Sequence, residues 1–131
     1  MWKNSYIIFF FTVIFFSCSA HKDAKSNTLL YYGKTRCLGK CPVFDMYIYE
    51  DGTLFYEGFE NVSVIGKKEL KLSSKDLSFL KEELNKLSFT VQNQQKRDLP
   101  NIILKYNGKK MITQDRNKLK TLLDFLEKVT P

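Results

Sequence analysis

Histidine is nearly missing from this sequence: there is one, His21, in 131 residues. A single imidazole excludes most general-base, triad and histidine-ligated metal arrangements, which need it set beside further partners. His21 also sits in a polar stretch that reads as exposed tether. Glycine is scarce, six residues in all, and none belongs to a Gly-rich phosphate loop after a strand-like run. No zinc-type ligand spacing and no serine in an elbow setting occur. Arginine is rare too: 18 of the 21 cations are lysines, interleaved with 14 acids for a net charge of +7. Nucleic-acid binding would gather arginines and aromatics into a patch, whereas dispersed lysines read as a solvated surface that could lie against anionic headgroups. Asp51 and Glu57 are close in sequence, but one reads as turn and the other as strand, so paired-carboxylate catalysis is not expected. No catalytic residue, metal ligand or cofactor is assigned, and no nucleic-acid partner. Long apolar runs are missing as well. Tyr6 to Phe16 is eleven residues, interrupted only by Thr12, where a spanning helix needs about 20.

That short run is nonetheless informative. A basic start at Lys3, a short apolar block and then small residues is the layout of a secretory signal. Ser17-Cys18-Ser19-Ala20 follows, and this end resembles a bacterial lipoprotein signal. Ser17 and Cys18 fit its lipobox, while Phe15 and Phe16 stand where leucine and a small residue are usual. The resemblance implies that residues 1–17 are removed and Cys18 carries lipid. An uncleaved anchor and an ordinary secreted protein are the alternatives. One acyl chain holds a protein marginally, at about 0.8 kcal/mol per buried methylene, and two or more make anchoring stable. Cleavage would take away Lys3 and no acid, lowering the net charge by one. The expected location is the cell envelope, the outer membrane rather than the inner, with the domain in the periplasm or at the cell surface.

Residues 18–28 are small and polar and read as a flexible tether, leaving 29–131 as one domain, which Leu29 to Gly33 opens as a strand. Cys37 and Cys41 are an even pair in an exported chain, which reads as a disulfide. Extended chain would hold their Cα atoms about 13 Å apart, and a bridge needs less than about 7 Å. The segment must therefore turn, with Gly39 free to take the positive φ of a tight turn. Pro42 then releases the chain into an extended run.

From Val43 to Tyr49 the sequence alternates, with Phe44, Met46 and Ile48 on one face and Val43, Asp45, Tyr47 and Tyr49 on the other. Asp51-Gly52 suits a hairpin turn whose two central residues both have φ > 0. Leu54 to Glu57 is the return strand, and Gly58 marks a bulge or a close approach. Asn61 to Ile65 reads as a further strand, with a turn at Gly66-Lys67 into Glu69 to Leu72. Ser73 and Asp76 open a helix in capping-box style, and Leu77, Leu80, Leu84 and Leu87 share one helical face. Residues 90–101 read as a surface loop. Ile102 to Tyr106, a turn at Asn107-Gly108 and Lys109 to Thr113 form a second hairpin. Asp115 or Asn117 caps a last helix carrying Leu119, Leu122, Leu123, Leu126 and Val129. The expected fold is α+β: a mainly antiparallel sheet of hairpins with two helices packed on one side, in the order β-β-β-β-α-β-β-α.

Cys37-x-Gly39-x-Cys41-Pro42, an aromatic at 44, Asp51-Gly52, Tyr56-x-Gly58, Val62 and Gly66 together resemble DUF6438, a small domain family of unknown function common in bacterial lipoproteins. The resemblance covers roughly residues 30–90 and more faintly the last hairpin and helix. It implies an exported or envelope domain and transfers no activity, substrate or catalytic residue.

Two functional readings follow. In the first, the chain is a non-catalytic binding or structural module held at a membrane by its lipid. Asp45, Tyr47, Tyr49 and Tyr56 would then offer amphipathic rings to an envelope protein or a glycan, unless the helix over 74–87 covers them as core. In the second, Cys37 and Cys41 form a thiol redox or copper site, since C-x-x-x-C-P resembles the string of Sco-type copper chaperones. Those chaperones add a distant histidine and a thioredoxin-like scaffold, and neither is evident here. A redox dithiol also belongs at a helix N-terminus, whereas Pro42 leads into a strand.

Overall fold

A computed structural model describes residues 28–89 and 96–131. The expected signal at 1–17, Cys18, His21 and nearly all of the expected tether lie outside the described residues, as do positions 90–95. The elements run β1 Thr28–Lys34, β2 Val43–Tyr49, β3 Thr53–Glu60, β4 Gly66–Lys71, α1 Ser74–Asn85, β5 Ile102–Tyr106, β6 Lys109–Thr113 and α2 Lys120–Val129, the last preceded by a 3-10 turn at Asn117–Leu119. This is the expected α+β order. All strand pairs are antiparallel, in one six-stranded sheet ordered β4-β3-β2-β1-β5-β6. β1 to β4 form a meander, and α1 carries the chain back so that β5 pairs with the free edge of β1.

One face of the sheet is the core. Phe44, Met46 and Ile48 are buried in β2, as their alternation requires. Leu30 and Tyr32 of β1, Leu54 and Tyr56 of β3, and Ile102 and Leu104 of β5 join them. Leu80 and Leu84 of α1 and Leu122, Leu123 and Leu126 of α2 cover this face, and Phe79 meets Phe125 between the helices at 5.1 Å. Ser73 caps α1: its hydroxyl oxygen accepts the Asp76 N–H at 3.1 Å and its O–H donates to the Asp76 carboxylate at 2.7 Å. Such a cap contributes about 1 kcal/mol. The Asp115 carboxylate accepts the Asn117 N–H at 3.0 Å ahead of the 3-10 turn, but neither Asp115 nor Asn117 caps α2, whose first turn has no side-chain cap because the 3-10 turn comes between.

Four local expectations need correction. At Asp51-Gly52 only Gly52 has positive φ, at 84°. Its N–H donates to the Tyr49 carbonyl at 2.9 Å, so residues 50–52 form a three-residue loop closed by a left-handed glycine. The turn with two positive-φ residues is the second one, Asn107 at 48° and Gly108 at 71°. Gly39 is not in the left-handed region; the cysteine loop closes without it. Asn61 to Ile65 is not a strand but a loop between β3 and β4. Asn61 turns left-handed at φ 52°, and the alternating Val62 and Val64 pack against the core from the loop. Gly66, placed in a turn by sequence, instead opens β4 opposite Gly58.

Candidate functional site

The other face of the sheet is covered by no described helix. Cross-strand neighbours share a face, so the register assigns its residues. Tyr31, Tyr47 and Phe55 lie in one row across β1, β2 and β3, and Gly33, Asp45 and Glu57 lie in the next. Lys105 of β5 stands beside Tyr31. The Tyr31 and Tyr47 rings are 5.0 Å apart and tilted by 53°. The Tyr31 hydroxyl donates to the Asp45 carboxylate at 2.5 Å, and the Lys105 ammonium sits 4.8 Å from the Tyr31 ring centre, a cation–π distance. Tyr47 is 36 % exposed on this face. Tyr49, on the same face, is partly exposed.

Gly33 makes the Tyr31–Asp45 contact feasible. A Cβ there would press on the Tyr31 hydroxyl and lie 2.9 Å from its ζ carbon and 3.0 Å from the Asp45 carboxylate. The ring thus lies along the strand, over the position a side chain would fill. Burial first, then Asp45 as hydrogen-bond acceptor and neighbouring charge, raise the Tyr31 pKa well above the usual phenol value. Tyr47 is raised by burial and then by Asp45. Both hydroxyls therefore remain protonated donors through neutral and mildly alkaline pH.

Tyr56 is not part of this surface. It is fully buried on the core face, opposite Met46. The reason lies in the loop length. A two-residue Asp51-Gly52 turn would set Tyr56 across from Tyr47. The three-residue loop shifts the pairing by one, and a one-residue shift moves a side chain to the opposite face. Conversely, Tyr31, Lys105 and Phe55 belong to this face although the sequence did not single them out. Tyr31 could have been found from its alternation with Leu30 and Tyr32, but Lys105 only from the pairing of β1 with β5.

At the end of the sheet where β1 leaves and β2 begins, the Cys37 and Cys41 sulfurs lie at disulfide distance, 1.93 Å, with Cα atoms 5.8 Å apart. The Asn61 side-chain amide donates to the Cys41 carbonyl at 3.0 Å, and Arg36 makes a two-pronged pair with Glu60. Both contacts tie the cysteine loop to the end of β3. Pro42 passes directly into β2, and no helix begins at either cysteine. Among the described residues no three His, Cys, Asp or Glu side chains gather as a metal-holding set, and no helix is long and apolar enough to cross a membrane.

The profile of a family described as a domain of unknown function, DUF6438, matches residues 28–130, a wider span than the motif-bearing stretch of the sequence. No curated protein and no solved structure matches the chain.

Proposed function

Because the chain belongs to the DUF6438 family of domains of unknown function, we propose its role from the surface it presents: a non-catalytic binding module, lipid-anchored at the cell envelope through Cys18, that takes a glycan on its uncovered sheet face. The observation that carries this reading is the Tyr31–Tyr47–Asp45–Lys105 cluster on the face opposite both helices. Tyr31 is pinned by Asp45, which leaves Tyr47 as an accessible, oriented ring. A sugar can stack its C–H face on such a ring while its hydroxyls meet the neighbouring carboxylate and ammonium.

The anchor reading gives the domain an orientation. Thr28, where the tether would enter, pairs with Tyr49 at one end of the sheet, and Lys34 pairs with Phe44 at the other. A chain held from its start would therefore carry the cysteine loop on the end away from the lipid. In that setting Cys37–Cys41 acts as a clip on a loop rather than as a redox or copper centre, consistent with a run into a strand instead of a helix N-terminus.

Mass spectrometry of the native protein tests the anchor. Loss of residues 1–17 with acyl mass on Cys18 is expected, and an intact Met1 without added mass overturns it. Co-sedimentation of the full chain with isolated cell-wall glycan tests the surface. Tyr47→Ala should weaken sedimentation roughly tenfold, the scale of one aromatic contact, at unchanged melting temperature. Absence of sedimentation by the wild type overturns the glycan reading.

A further inference from the structure

On the core side, where the cysteine loop meets the end of α2, the sheet ends in a cleft of about 370 Å³ lined by Pro42, Phe44, Tyr56, Val62, Glu127 and Thr130, among others. It is within the size range of small-molecule sites. It lies on the opposite face from Tyr47 and stands independently of the glycan reading.

Two features give the cleft chemistry. Tyr32, Met46 and Tyr56 occupy one row of the sheet, and Lys34, Phe44 and Gly58 the next. Both tyrosine rings bracket Phe44, at 5.3 and 5.5 Å between centres. Both tyrosines are fully buried, and neither hydroxyl has a hydrogen-bond partner among the described residues. The Tyr56 hydroxyl sits beside Val62: a Cβ placed on Gly58 would lie 2.7 Å from that oxygen and 2.8 Å from Val62 Cγ2. Tyr32 lies toward Glu127, whose charge raises its pKa after burial does. Buried hydroxyls are normally paired, and an unpaired one is costly.

The second feature is the state of the charges. Glu127 is already engaged by Lys34 at 2.7 Å and by Arg116 through its two terminal guanidinium nitrogens at 2.8 and 2.9 Å. Glu60 is engaged by Arg36. A charged ligand would have to compete with these pairs. What remains is a lining of mixed character, with Pro42, Phe44 and Val62 beside Asn61 and Ser63, and the unpaired Tyr56 hydroxyl buried just behind it.

We propose that this cleft binds an uncharged small amphiphile, with an apolar body about the size of one ring packed on Phe44 and Val62 and a hydroxyl or carbonyl head bonded to Tyr56. Benzyl alcohol, toluene, benzoate and benzylamine are suitable probes, titrated into the 15N-labelled full chain and followed through the Val62, Ser63 and Thr130 amides. Benzyl alcohol should give saturable shifts, and benzoate and benzylamine should bind far more weakly. Tyr56→Phe removes one oxygen and keeps the ring. It should weaken benzyl alcohol roughly five- to tenfold, the scale of one net hydrogen bond, leave toluene unchanged and not lower the melting temperature. Ser63→Trp, at an exposed position on the cleft rim, should abolish the shifts from both neutral probes. Absence of saturable shifts, equal binding of the charged probes, or unchanged benzyl alcohol affinity in Tyr56→Phe would each overturn the proposal.

Discussion

Gly58→Ala is the most direct perturbation of the packing that shapes both the core and the cleft. Gly58 sits in β3 between Phe44 and Gly66, next to the one-residue bulge at Phe59. Its φ is not positive, so an alanine there meets no backbone strain, only a lack of room. The added methyl would run into the Val64 carbonyl oxygen and lie 2.7 Å from the Tyr56 hydroxyl and 2.8 Å from Val62 Cγ2. A backbone oxygen cannot swing aside as a flexible side chain can, so the 61–65 loop would have to move as a unit. Overpacking of this kind costs about 1–3 kcal/mol, and replacing glycine recovers about 0.4–1 kcal/mol from the unfolded chain. A net loss of about 1.3 kcal/mol lowers the melting temperature of a domain this size by roughly 5–10 °C. Gly39→Ala is the control, because its Cβ would meet only Cys37 Sγ at 3.8 Å. Thermal unfolding of the three proteins by circular dichroism, with urea midpoints alongside, should leave Gly39→Ala at or slightly above wild type. Equal melting temperatures for Gly58→Ala and Gly39→Ala would refute the close-approach argument.

Two further outcomes concern charge and the cysteine loop. Arg116 first, and Lys34 after it, hold the Glu127 pKa down to about 2. A carboxylate with a folded pKa below its unfolded value stabilises the fold above about pH 4.5 and loses that contribution as pH falls toward 2. Its side chain is 37 % exposed, so solvent screening limits the effect to about 1 kcal/mol. Glu127→Gln should therefore lower stability by that amount at pH 7 and flatten acid unfolding between pH 5 and 2. The flattening should be partial, because Asp51, bonded to the Thr53 N–H and to Lys71, also has its pKa lowered to about 2. Cys37→Ser opens a five-residue ring and should cost about 2 kcal/mol, read as a shift of the urea midpoint. Failure of that variant to fold would mean that the clip holds more than its own loop.

The strand and helix pattern could be read from the chain because it is written in local spacing. Val43 to Tyr49 alternates without interruption, Ser73 is followed by Asp76 at capping distance, and the leucines of both helices recur at helical intervals. The Asn61 to Ile65 run misled for a physical reason. Val62 and Val64 are partly buried by a loop folded back onto the core, and alternation records burial without recording hydrogen bonding. The candidate surface was legible in part. Asp45, Tyr47 and Tyr49 share a face because they share a strand, whereas Tyr31 and Lys105 reach them only through β1 pairing with both β2 and β5.

By itself, the sequence determined the order of elements, the inward face of β2 and which two cysteines come within bonding reach, since each follows from interactions a few residues apart. Tertiary structure decided which side of the sheet the helices cover, and with it that Tyr47 is accessible while Tyr56 is buried with an unpaired hydroxyl. That outcome turns on a single residue of loop length at Glu50 to Gly52, which sets the register of β3 against β2. Pairing register is a relation between strands, and no period within one strand contains it.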